Sequence, residues 1–137
     1  MVRVAVLLDP VAIGDVKAFM QAMQGSARPL GLQLQLLEVR DASELDAAFS
    51  LARQHLAQAL YAIPTNTIVT HRTRIAELST RDKLLSIGSF PWMAQAGFLM
   101  TYGADVDDLG RRAITLMDKI LKGARPGELP IEQPTKF

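Results

Sequence analysis

The side chains able to do chemistry in this sequence fall in a few short stretches. Asp9 precedes Pro10 at the end of an apolar run. A carboxylate there could hold a ligand ammonium, or it could accept backbone hydrogen bonds in a strand-to-helix turn, as aspartate commonly does. Thr65, Asn66 and Thr67 follow Pro64. Their hydroxyl and amide groups could meet a carboxylate with help from a helix N-terminus, or they could cap that helix. Phe90 and Trp92 sit on either side of Pro91, in a loop where large apolar groups are less expected. They could wall a pocket or pack under the loop. Tyr102 precedes Gly103; its ring could stack on a ligand, or its hydroxyl could be satisfied within a core. His71 falls mid-helix, where a solvated surface role is the ordinary one.

These groups do not form a catalytic set of nucleophile, base and oxyanion donors. The sequence contains no G-x-G-x-x-G, no G-x-x-x-x-G-K-S/T and no G-x-S-x-G, which removes the dinucleotide cradle, the phosphate loop and the hydrolase elbow. A phosphoacceptor receiver would need acids at the ends of the first and third strands to hold a divalent cation. Only Asp9 is available, because the third apolar run ends in Ile63-Pro64. There are no cysteines and only two histidines, His55 and His71. Disulfides, thiol catalysis and cysteine-ligated metal are excluded, and a histidine-rich metal site is disfavoured. The expectation is a chain with no catalytic residues, no metal and no cofactor.

Its 137 residues, 49% hydrophobic and 21% charged, suit one domain that buries roughly 68% of its unfolded surface. With 15 basic against 14 acidic side chains, the net charge of +1 gives no reason to expect nucleic acid or a membrane as partner. No apolar run reaches the ~20 residues that span a bilayer, and Asp9-Pro10 interrupts the first one too early for a signal peptide.

The candidate residues need elements to position them. Val2 to Leu8 reads as a strand buried on both faces, followed by a helix over Gly14 to Gln24 that Gly25, Pro29 and Gly31 end. Leu32 to Val39 predicts a second strand. Asp41-Ala-Ser-Glu44 has the form of a capping box ahead of a helix with Leu45, Ala48, Leu51, Ala52 and Leu56 on one face. Ala59 to Ile63 predicts a third strand, Asn66 to Thr80 a helix, Leu84 to Ile87 a fourth strand, and Gly97 to Tyr102 a fifth. Trp92 to Ala96 suits a single helical turn. Asp105 can cap a long helix carrying Val106, Leu109, Ala113, Leu116 and Ile120, with Lys122 and Gly123 at its end. Strand and helix alternate five times. That predicts a three-layer α/β/α sandwich with a mostly parallel five- to six-stranded sheet. In such sheets ligands sit at the carboxyl ends of the strands, where Asp9, Thr65 to Thr67, Phe90 and Tyr102 all fall.

Residues Val2 to Pro10 (VRVAVLLDP), Ala62 to Ile75 (AIPTNTIVTHRTRI), Gly97 to Gly103 (GFLMTYG) and Met117 to Phe137 (MDKILKGARPGELPIEQPTKF) resemble the ABC transporter substrate-binding proteins of the type I periplasmic binding fold, some of which bind aromatic amino acids. The tail is the most specific part of the match. The resemblance runs nearly the whole length of the chain but corresponds to the second of the family's two lobes. It implies a first lobe and signal peptide outside this sequence, a strand and helix after the P-T-K-F stretch, and a ligand enclosed between the lobes. Residues 1–125 would form the α/β ligand-binding lobe and 126–137 an extended Pro-rich tail. By the same resemblance, Asn66 stands where P-T-D-N-T versions carry aspartate, and Tyr102 matches the tyrosine of an S-Y-G motif. Val11-Ala12-Ile13-Gly14 replaces a loop usually richer in Asn and Ser, and Phe90 to Met93 lacks the charged residue that often follows the aromatic. The implied partners are a small-molecule solute such as an amino acid, the missing N-terminal lobe and an ABC permease. The implied location is periplasmic or otherwise extracytoplasmic. A stand-alone sensory or interaction domain of the same fold, as a homodimer of the isolated lobe, is the alternative.

Overall fold

A computed structural model describes all residues, Met1–Phe137. The first strand, β1 (Val2–Leu8), is apolar on both sides from Val4 onward, and Ala5, Val6, Leu7 and Leu8 are wholly buried. Pro10 lacks an amide hydrogen and suits the first turn of a helix. The chain therefore passes straight from Asp9 into the short helix α1 (Pro10–Ile13). Gly14, at φ +73°, redirects the backbone. Asp15 then caps α2 (Val16–Ala27), its carboxylate accepting from the Ala18 amide at 2.9 Å. Helix α2 begins later and runs further than the sequence pattern predicts. Gly25 stays inside it, because a mid-helix glycine weakens a helix without breaking it. The stop comes from Pro29, which cannot supply the next amide, and from Gly31 at φ +69°.

Strand β2 (Leu32–Glu38) follows, then a 3-10 turn over Ala42–Glu44 and helix α3 (Leu45–Gln54). The Asp41 carboxylate accepts from the Ser43 amide, and Glu44 reaches back to the Arg40 amide, both at 2.8 Å. Both bonds of a capping box have counterparts here, but the first spans two residues rather than three and the second spans four. After β3 (Ala59–Ala62), the expected single helix is two: α4 (Asn66–Thr70) and α5 (Arg72–Arg81), separated at His71, whose φ of −100° and ψ of 17° leave the helical region. Strand β4 (Leu85–Gly88) leads to α6 (Pro91–Gln95) and to β5, which is only Met100–Thr101. The expected strand from Gly97 is shortened because Gly97 takes φ +110° and Phe98 turns into the core. The Leu99 amide bonds the Ser86 hydroxyl at 3.1 Å instead of a strand carbonyl.

The five strands form one sheet in the order β2-β1-β3-β4-β5, every pair parallel. Helices cover both faces. Val6, Leu8, Met20 and Ile63 pack with Phe19, Met23, Leu34 and Leu36 beneath α2. On the other face Leu7, Leu37, Phe49, Leu60, Ile75, Leu78 and Met93 form the larger cluster under α3, α5 and α6. Gly88 is tightly covered there. A Cβ at this position would lie 2.7 Å from the Met93 sulfur and 3.1 Å from its Cβ.

The chain divides into two compact units, Met1–Thr101 and Tyr102–Phe137. The second holds α7 (Val106–Leu121), capped by Asp105, which accepts from the Asp108 amide at 2.9 Å. Its tail carries one 3-10 turn, Pro126–Glu128, and no other regular element. The tail folds back on the helix start: the Asp105 amide donates to the Lys136 carbonyl at 3.0 Å, and the Lys136 ammonium meets Asp108 at 3.0 Å. No helix is long and apolar enough to cross a membrane.

Candidate functional site

In an open parallel sheet, the crevice opens where consecutive crossovers leave in opposite directions. Here β1 and β3 are neighbours, the chain from β1 crosses to β2 on one side, and the chain from β3 crosses to β4 on the other. Asp9 follows β1 and Thr65, Asn66 and Thr67 follow β3, so these four candidates lie at the switch point, whereas Phe90 follows β4.

Asp9 is only 8% exposed. One carboxylate oxygen accepts from the Val11 amide at 2.9 Å, and the other accepts from the Thr67 hydroxyl at 2.7 Å. The Thr67 hydroxyl, then the backbone amides of Val11 and Ala12 and the nearby Arg40 guanidinium, hold the Asp9 carboxyl below its ordinary pKa despite burial. Asp9 thus caps α1 and tethers α4. Both of its oxygens already have partners.

Thr65 is 7% exposed, and its hydroxyl has no hydrogen-bond partner. It occupies the cap position of α4 by its extended backbone (φ −88°, ψ 164°), yet its side chain makes no capping bond. A buried hydroxyl with unused donor and acceptor is costly unless something else fills it. Asn66 opens α4, is exposed, and has no side-chain hydrogen bond.

At the end of β4, Phe90 and Trp92 stack with ring centroids 5.0 Å apart and planes 23° off parallel. Both pack partly against the larger core. The Arg72 guanidinium lies 5.5 Å from the Trp92 ring centroid and donates to the Val69 carbonyl at 3.0 Å. No carboxylate lies within ion-pair reach of Arg72, whereas Arg40, Arg53, Arg74 and Arg81 all have acidic partners. The sequence offered no signal for this cation, since its contact with Trp92 is tertiary. Tyr102 belongs to the second unit, where it is 70% exposed and stacks on Phe137 at 5.8 Å. No group of three or more His, Cys, Asp or Glu side chains converges to hold a metal ion.

The family model for ABC transporter substrate-binding proteins matches residues 3–137. The chain belongs to this family. A conserved domain protein from Vibrio cholerae superposes with a TM-score of 0.78 at 18% identity, covering 96% of this chain and 45% of that one. An ABC domain from Streptococcus pneumoniae, solved in complex with L-Trp, gives 0.78 at 20% identity over 96% and 44%. A substrate-binding protein with adhesive properties from Clostridium difficile, in a ligand-free open form, gives 0.72 at 18% over 96% and 44%. No match was found among curated proteins. The present chain therefore spans less than half the length of these solved relatives, and at these identities the likeness shows the fold, an α/β lobe with a five-stranded parallel sheet.

Proposed function

We propose that this chain supplies one lobe of a solute-binding protein serving an ABC importer, and that the solute is an amino acid or a similarly small polar molecule. The observation that carries the reading is the buried, unpartnered Thr65 hydroxyl beside the locked Asp9–Thr67 pair at the switch point. Asp9 and Thr67 fix the geometry of the edge. Thr65 and Asn66 present free polar groups for a carboxylate or amide, aided by the amides that open α4. Phe90, backed by Trp92, offers an aromatic wall. Tyr102 enters the proposal through its place in the family motif. An amino-acid ligand fits this mixture of hydrogen-bonding and aromatic groups, and the relative solved with L-Trp supports that class.

In this reading a first lobe supplies the other half of the site, and ligand bridging the two stabilises a closed form that a permease recognises. The parent protein would work outside the cytoplasm. A single lobe offers about half of the contacts while still opposing the ~4 kcal/mol or more needed to immobilise a ligand. The test therefore uses the two-lobe parent. Titration with a panel of amino acids, followed by heat of binding, should reveal a ligand, and Thr65→Val should weaken it by about tenfold. A parent that binds no small solute across the panel would overturn the reading.

A further inference from the structure

We propose that the free edge of β2 pairs with β2 of a second copy of this chain, antiparallel about a two-fold axis at Gln35. Strand β2 is the outer strand of the sheet and runs seven-for-seven in register with β1, from Leu32 opposite Val2 to Glu38 opposite Leu8. Exposed edges are normally guarded by proline, lysine, a bulge or an inward charge. Leu32-Gln-Leu-Gln-Leu-Leu-Glu38 has none of these, and its one charge sits at the end.

The backbone bonds to β1 fix which groups face outward. The Gly31 carbonyl accepts from Val2, and the Val39 amide donates to Leu8. Residues 33, 35 and 37 share that inward parity. Leu32, Leu34, Leu36 and Glu38 therefore turn their amides and carbonyls to the free edge. Antiparallel pairing centred on Gln35 sets Leu34 against Leu36 of the other copy, and Leu32 against Glu38, as hydrogen-bonded pairs. Gln35 then faces its own counterpart at a non-hydrogen-bonded position, where side chains come closest. No like charges are opposed, and the half-buried Leu34 and Leu36 extend the apolar cluster beneath α2 across the axis.

Gln35 supplies an independent reason. Its Oε1 is buried without a partner, and its Nε2 has only a long 3.5 Å bond to the Leu51 carbonyl. Rotated to the edge, two Gln35 carboxamides can exchange N–H···O bonds with one another, giving up little. Shallow concavities of about 350–370 Å³ run beside Leu32 to Glu38, lined in part by Gln33, Gln35, Leu36 and Leu37, so the strand edge is open to approach. A self-complementary strand of this kind produces the isologous contact typical of closed dimers.

The chain has no cysteine, so an introduced one is a clean reporter. Gln35→Cys places the lone thiol on the axis and should give a disulfide-linked dimer under mild oxidant. Gln33→Cys, which faces Leu37, should not. In sedimentation, Gln35→Lys and Gln35→Glu should each be monomers at concentrations where the native chain is a dimer, and an equimolar mixture of the two should restore the dimer. Circular dichroism melts of each variant check that the fold is kept. A native chain that stays monomeric, a dimer that survives both charges, or equal cross-linking at positions 33 and 35 would each overturn the proposal.

Discussion

The Thr67 hydroxyl donates to the Asp9 carboxylate at 2.7 Å, across 58 residues of sequence. The bond ties the end of β1 to the first turn after β3, the two segments that flank the switch point. Thr67→Val keeps the shape and removes the donor. We expect it to lower the thermal midpoint by a few degrees. Asp9→Asn should do likewise, and the double variant should lose less than the sum of the two, since both break the same contact. A thermal-melt double-mutant cycle measures this directly.

Acid should unfold the first unit in a defined window. Asp9, Asp41 and Asp82 all have carboxyl pKa values held below the ordinary 3.8, by the hydroxyls of Thr67 and Ser43 and by the Arg81 guanidinium respectively. A depressed folded pKa contributes stability that is fully present above the unfolded value and is lost as pH falls through the folded one. The urea midpoint should thus be insensitive to these groups above about pH 5 and fall steadily below about pH 4. Thr67→Val should show a shallower fall, because Asp9 no longer has its strongest partner.

Trp92 is the single tryptophan, which makes the stack at the end of β4 visible by fluorescence. Arg72→Met keeps most of the aliphatic cover and removes the cation over the ring. The emission spectrum should change, while stability should fall by less than about 1 kcal/mol, the scale of a half-exposed cation–π contact.

Phe49 is fully buried in the cluster between α3 and the sheet. Phe49→Ala should cost about 3–5 kcal/mol, read from chemical denaturation with the slope unchanged. A much smaller loss would mean that α3 collapses onto the cavity.

Much of this fold is legible in the sequence where apolar runs are long and closed by proline or aspartate. Strand β1 ends at Leu8 because Asp9-Pro10 forces a turn, and α7 begins at Asp105 because its carboxylate reaches the Asp108 amide. Local pattern fails where tertiary packing decides. Phe98, Leu99 and Met100 read as strand, yet only Phe98 is buried, and the ladder is two residues long. The break at His71 leaves no mark in the helical rhythm. At the candidate site, the sequence put Asp9 and Thr67 at the carboxyl ends of two strands without making those strands neighbours, and left Asp9 open between ligand binding and turn formation; both of its carboxylate oxygens are filled, as in a turn. Arg72 carries no signal in the sequence, because Trp92 lies twenty positions away and the contact exists only in the folded sheet.

The contact between Gly88 and Met93 bears on how this sequence can drift. A Cβ at position 88 would lie 2.7 Å from the Met93 sulfur and 3.1 Å from its Cβ, so the end of that side chain must turn away and its base must give by a few tenths of an ångström. Enlarging position 88 costs least when position 93 shrinks or is reshaped in step. Among homologous lobes, the two sites should therefore vary as a coupled pair, glycine with a long side chain and alanine or serine with a short one.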